Sequence, residues 1–305
     1  MALNDTTTWT GASNSDFSTA GNWTNGTPDT DGTAIIDGSV DITGGTPSVI
    51  DIARVYIAST YTGAIGSVGT PLELDFAELS VDNNSSGSTH YIQKEGTTND
   101  ATVMVDGSKT GNAVYLSGTI DKIIIEPTFV GTCHIGNGAS GLACTPKDLI
   151  MMTATGIVDA STAANVAWAS SSQIDLLSGT LKLGENIGSG STLNMSGGTL
   201  TVTGWTVTGT TDVLNQHGGT TNWTAGSTGV DTPTNTTMAF LNLYGGTFTT
   251  VSNVTAQVGF RNINQYGGTL NLQSSFANIE VTGTFTGYSG TYNPPKQSVT
   301  TTTAK

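Results

Sequence analysis

Between residues 174 and 293, apolar side chains alternate with polar ones in short bursts, and pairs of bursts bracket a corner of small residues. Six such segments align: IDLLSGTLKL (174–183), LNMSGGTLTV (193–202), LNQHGGTTNW (214–223), LNLYGGTFTT (241–250), INQYGGTLNL (263–272) and FTGYSGTYNP (285–294). Their anchor glycines, Gly179, Gly198, Gly219, Gly246, Gly268 and Gly290, are each followed by Thr and are separated by 19, 21, 27, 22 and 22 residues. Five positions before the anchor stand Ile174, Leu193, Leu214, Leu241, Ile263 and Phe285; two positions after it stand Leu181, Leu200, Thr221, Phe248, Leu270 and Tyr292. Period-two alternation on both sides of a corner predicts two short strands with one face buried. The glycines mark where the backbone turns sharply or passes close to another segment. No long window has helical spacing, and no apolar run approaches the roughly 18 residues of a membrane span.

A step near 20 residues is too short for a domain or a propeller blade. It suits one coil of a parallel β-solenoid, each coil stacked on the last at about 4.8 Å. The predicted fold is therefore all-β, a β-helix with coils of about 19–23 residues, right-handed by the general preference of parallel crossovers. Stacking sets like on like: Asp175, Asn194, Asn215, Asn242, Asn264 and Thr286 form one polar column whose amides can bond along the axis. The 27-residue step reads as a loop insertion. A sandwich of β-hairpins is the rival architecture, but it does not need the same residue type in each column. The first half repeats less clearly, in LDFAELSVDN (74–83), AVYLSGTIDKIII (113–125) and MMTATGIVDAS (151–161); Gly118 to Gly156 is 38 residues, or two coils of 19. The expected division is a cap or docking segment over 1–34, a solenoid over 35–293, and a flexible Thr-rich tail over 294–305. Pro294 and Pro295 lack the N–H that a ladder needs.

Charge changes the picture in one respect. Charged residues make up 10% of the 305, against a usual level of about 25%. The net charge of −14 is uneven: residues 1–160 hold 18 acids and 5 bases, and residues 161–305 hold 5 acids and 4 bases. Phosphate-backbone binding needs clustered Lys and Arg, and the only arginines are Arg54 and Arg261, which argues against a nucleic-acid partner. The acidic half suits docking on a basic protein surface, with plain solubility as the simpler reading. The opening MALNDTTTWTG has no basic stretch followed by an apolar one, so the expectation is synthesis without a classical secretory signal, unless the signal lies elsewhere or has been removed. Cys133 and Cys144 flank a glycine-rich loop; a disulfide and a pair of small buried thiols both remain open.

Candidate chemistry is sparse. The acids to test first for a hydrolase or lyase are Asp75, Glu78 and Asp106. The histidines His90, His134 and His217 have no sequence neighbours that suggest a triad, and the expectation is a protein that is not an enzyme. Asp29, Asp31 and Asp37 form a weak calcium candidate, since hard cations take loop oxygens, but the twelve-residue loop and its closing Glu are missing; no other cofactor is expected. One column stands out. Two positions before the anchor come Leu177, Ser196, His217, Tyr244, Tyr266 and Tyr288, which by alternation face outward. A stripe of tyrosines offers apolar area with polar tips, suited to a neighbouring subunit or a glycan, or serves only as a ladder on the solenoid's own surface.

Residues 9–37, WTGASNSDFSTAGNWTNGTPDTDGTAIID, carry Trp9, Gly11, Asn22, Trp23, Pro28, Asp31, Ala34 and Ile35. This pattern resembles the opening segment of autotransporter-like, repeat-rich bacterial exoproteins, whose solenoids phage particle proteins also use. The resemblance covers about 30 residues. It implies a β-solenoid whose first coil is capped by Trp9 and Trp23, which would also form the docking end, and it implies no catalytic residues. The resulting expectation is a structural protein on the virion surface, a capsid decoration (cement) protein or short spike, assembling as a homotrimer on a capsid or tail protein, with a host-surface glycan as a further candidate contact. A secreted bacterial adhesin passenger is the first alternative, placing the chain outside the cell or on its surface. A carbohydrate-active tailspike is the second.

Overall fold

The computed structural model describes residues 6–30, 32–44, 51–82, 89–96, 100–108, 113–136, 143–161, 166–184, 187–203, 212–224, 238–250, 257–272, 278–294 and 300–304. Among them the regular structure is β-strand, with one 3-10 turn at Ala20–Asn22 and no α-helix. No helix among them is long and apolar enough to cross a membrane. The fold is all-β, a parallel β-solenoid. Two compact units form, one of Met1–Asp148, Met152–Val158 and Ala164–Val166, the other of Leu149–Met151, Asp159–Ala163 and Ala167–Lys305.

In the second unit the strand register reproduces the sequence alignment residue by residue. Ile174 pairs with Leu193, Leu193 with Leu214, Leu214 with Leu241, Leu241 with Ile263 and Ile263 with Phe285. The partner ladder runs Leu181, Leu200, Thr221, Phe248, Leu270, Tyr292. Ile174, Leu193, Leu214, Leu241 and Ile263 are fully buried. Each such side chain contributes roughly 1.5–3 kcal/mol by leaving water, which fixes the register because a one-residue slip would turn the whole column outward.

Two polar intrusions share one coil. Gln216 stands in a column with Met195 and Leu243, and Thr221 in a column with Leu200 and Phe248; both are fully buried. They satisfy each other: the Thr221 hydroxyl lies 3.0 Å from the Gln216 Oε1, and the Gln216 Nε2 donates to the Thr247 carbonyl at 3.0 Å. Trp223 fills the same coil beside the small Thr221, fully buried against Phe248 and Phe260.

The corner glycines are required by geometry. Gly246 has φ +74°, and a Cβ there would sit 2.4 Å from the Gly219 carbonyl oxygen of the coil beneath. A side chain at this corner would force the coils apart, so the Gly-Thr pair recurs. The Asn column is bonded as its spacing predicts. Asn264 donates to Asn242 at 2.9 Å, Asn242 to Asn215 at 2.9 Å, Asn215 to Asn194 at 3.0 Å and Asn194 to Asp175 at 2.9 Å. All the amides point the same way, and the Asp175 carboxylate accepts at the N–H end of the row.

In the first unit the ladder Thr6–Thr8, Thr33–Ile36, Asp51–Ile57, Leu72–Asp82, Thr102–Asp106 and Ala113–Ile125 is also parallel. A second ladder joins Leu72–Asp82, Thr89–Lys94, Ala113–Ile125 and Thr132–Ile135. The long strands Leu72–Asp82 and Ala113–Ile125 serve both ladders, which hides the coil boundary from a search for corner glycines. Gly118 has the positive φ of a corner glycine, +86°, but stacks on Lys94 rather than on another glycine. The stretch read as a loose tail contains a strand, Thr300–Ala304, parallel to Asn278–Gly287.

Candidate functional site

The outward column is a continuous aromatic stack. Backbone bonds from the Tyr244 N–H to the Gln216 carbonyl, from Tyr266 to Leu243 and from Tyr288 to Gln265 set each residue over the last. Ring centroids lie 4.5 Å apart for His217 and Tyr244, 4.8 Å for Tyr244 and Tyr266, and 4.9 Å for Tyr266 and Tyr288, with planes within 6° of parallel. Tyr244 and Tyr266 are 43% and 39% exposed, whereas Tyr288 is 67% exposed. The middle rings therefore spend both faces on each other and show water only their edges and hydroxyls. A sugar packs its C–H face on an aromatic face, and such a face is free only at an end of the stack. A flat macromolecular surface meets no such restriction.

A second stack, in the first unit, was not singled out from the sequence. Tyr91, Tyr115 and His134 stand in one register column, with centroids 4.4 Å and 4.3 Å apart. The signal was present as aromatic residues at coil spacing, 24 and 19 residues apart, but the positive-φ glycines that follow them, Gly96, Gly118 and Gly136, stand five, three and two residues on, so no constant offset sets the frame. Burial and the neighbouring Tyr115 push the Tyr91 phenol above its ordinary pKa.

No protein-family model, curated protein or solved structure matches the chain.

The N-terminal pattern is a folded unit. Trp9, Phe17 and Trp23 are buried and pack edge to face or stacked, with centroids 4.8–6.3 Å apart. The indole N–H of Trp23 donates to the Phe17 carbonyl at 2.8 Å, and that of Trp9 to Val40 at 3.2 Å. Asn22 ties the intervening loop, accepting from the Ser13 and Asn14 N–H groups and donating to Asn14 and Asp16. Gly11, at φ +60°, is needed because a Cβ there would meet Val40 at 2.4 Å. Burial fits the cap reading of Trp9 and Trp23. With the two rings 2% and 5% exposed, direct contact with a partner at this end would fall to the residues around them.

The acids serve local structure. Asp37 accepts from the Gly38 N–H and the Thr60 hydroxyl, both at 2.6 Å. Asp106 repeats the arrangement with Gly107 and Thr128. Each Asp-Gly thus closes a strand end and clasps a Thr about one coil later. Of the calcium candidates, Asp29 is exposed, Asp37 is engaged in this corner, and Asp31 lies outside the described residues. Among the described residues no group of three or more His, Cys, Asp or Glu side chains is placed to hold a metal ion. Asp75 is buried in an ion pair with Lys94, whose ammonium also donates to the Glu95 carbonyl at 2.6 Å and lies 5.8 Å from the Phe76 ring centre. Glu78 faces Arg54 at the surface, 3.3 Å away. Asp75, Glu78 and Asp106 do not converge: one points inward, one pairs on an outer face and one caps a corner.

The histidines are equally dispersed. His134 and His217 each belong to an aromatic stack. His90 is fully buried beside Tyr61, with neither ring nitrogen hydrogen-bonded, and burial pulls its pKa down to about 4. Cys133 and Cys144 are free and buried, and burial pushes the Cys133 thiol up to about 12 and raises that of Cys144 further. Neither is a reactive thiolate at neutral pH.

Proposed function

We propose that the chain is a structural, surface-exposed particle protein that gives rigid display and adhesion. The form we favour is a phage virion protein, a capsid decoration protein or short spike. One observation carries this reading. The outward Tyr244–Tyr266–Tyr288 column is held in a fixed axial row, while Asp75, the two thiols and His90 are buried, Asp37 and Asp106 close corners, and Glu78 pairs with Arg54. Such a row suits contact with a protein surface rather than the capture of a small molecule. The uneven charge supports an orientation: the acidic 1–160 stretch faces a basic particle protein, and the nearly neutral 161–305 stretch, with 5 acids and 4 bases, is displayed.

Mass spectrometry of purified particles tests the reading. The expected result is this chain in a fixed ratio to the major shell protein, with antibody labelling of the particle exterior. Recovery solely from the supernatant of uninfected cells would sink it and favour a secreted adhesin. Release of oligosaccharide from host envelope by the purified chain would favour a tailspike enzyme.

A further inference from the structure

Asp75 and Lys94 are 19 residues apart and lie on paired strands, Leu72–Asp82 and Thr89–Lys94, where Leu74 is the register partner of Lys94. Their side chains are 7% and 1% exposed. An ion pair sunk this far loses the hydration of both charges, and replacing such a pair by uncharged groups is often neutral or stabilising. An amine and a carboxyl held face to face have an uncharged combination of their own, the amide.

The surroundings favour that product. The Lys94 Nζ is in contact with the Asp75 Oδ1, and the carboxyl carbon lies one bond beyond that oxygen. The Phe76 ring covers the ammonium from one side, its centre 5.8 Å away. Gly96, at φ +78°, closes over the other carboxylate oxygen, since a Cβ there would collide with the Asp75 Oδ2. Groups held in reacting geometry behave as if at roughly 10⁵–10⁸ M. The Glu95 carbonyl, 2.6 Å from Nζ, accepts from the ammonium and can equally accept from the single N–H of an amide. Condensation therefore costs that carbonyl no hydrogen bond.

We propose that Lys94 and Asp75 condense after folding to an intramolecular amide, a covalent clasp between two strands of the first unit. The ammonium passes one proton to the carboxylate, leaving an amine and a carboxylic acid. The nitrogen lone pair attacks the Asp75 Cγ and the N–C bond forms. The hydroxyl then leaves Cγ with a second proton from nitrogen, as water. Ammonium plus carboxylate gives amide plus water, nothing is oxidised or reduced, and no co-reactant enters. The freshly folded chain holds the ion pair, so stability measured early is that of the pair, and the amide accumulates from it. The clasp does not depend on the display role, and its failure leaves the particle experiment unaffected.

Intact-mass measurement of the full chain, aged for a week at body temperature, tests it. The expected result is a chain lighter by one water. Trypsin should no longer cut after Lys94, and cleavage after glutamate should leave the peptides 74–78 and 79–95 joined although Glu78 lies between them. Lys94→Arg keeps a cation beside Asp75 without an amine to acylate, and is expected to retain its full mass. Asp75→Asn is expected to lose ammonia in place of water, a signature that a merely structural pair does not give. The native chain decides the matter by itself if either variant fails to fold. Full sequence mass in the aged native chain overturns the proposal. So does a lost water that persists in Lys94→Arg or maps to an Asp-Gly step such as Asp37-Gly38 or Asp106-Gly107.

Discussion

Acidification should unfold this protein in a way that one side chain reports. His90 is neutral in the folded state, with a pKa of about 4 against an ordinary value of 6.5, because burial penalises its charged form. A depressed histidine pKa means that the unfolded chain takes up a proton below about 6.5 while the folded chain resists until about 4. Stability is therefore untouched above pH 7 and is lost as pH falls through this window. At about 1.36 kcal/mol per pKa unit, the loss is about 2 kcal/mol by pH 5 and about 3 kcal/mol by pH 4. The many carboxylates also respond to acid, so the assay is a difference: urea unfolding of the native chain and of His90→Leu between pH 7.5 and 4. Leucine suits a site beside Tyr61 and Ile65. It also removes two ring nitrogens that lack hydrogen-bond partners, so the variant is expected to be more stable at pH 7.5 by about 1 kcal/mol. The gap should widen to roughly 4 kcal/mol at pH 4, the sum of both effects. Parallel stability curves for the two proteins across that range would refute the buried, neutral imidazole.

Two further substitutions test the frame. Lys94→Met removes the ammonium that faces the buried Asp75 carboxylate and should cost about 3–5 kcal/mol in urea unfolding, while adding Asp75→Leu should recover most of it; an unchanged midpoint for the single variant would mean the pair is hydrated. Gly246→Ala combines left-handed strain with a collision against the Gly219 carbonyl and should cost more than ~2 kcal/mol, whereas Gly26→Ala, at φ +87° with nothing within 4 Å, should lose only the conformational part of about 1 kcal/mol. Equal losses at Gly246 and Gly26 would show that the close approach of coils does not matter.

The regular coils were legible because each signal is local and repeats: alternation names the buried face, and Gly-Thr names the corner. The Asn row and the outward tyrosine column follow from the same frame. The first unit was less legible because the long strands Leu72–Asp82 and Ala113–Ile125 carry two ladders each, and their corners lack a repeated glycine. Asp75 and Lys94 are 19 residues apart, which is coil spacing. Nothing in their neighbours marks them as buried, so Asp75 read as a candidate acid.

Sequence alone determined that this chain stacks on itself, and in which register over residues 174–293, because a period-two pattern repeated at coil spacing has one arrangement that buries every column. Tertiary structure decided what the exceptional side chains do. It sank Trp9, Trp23 and His90 into the interior and closed Asp75 on Lys94. Those outcomes depend on which neighbours a coil meets above and below, and that is a property of contacts between segments distant in the chain, which no single stretch encodes.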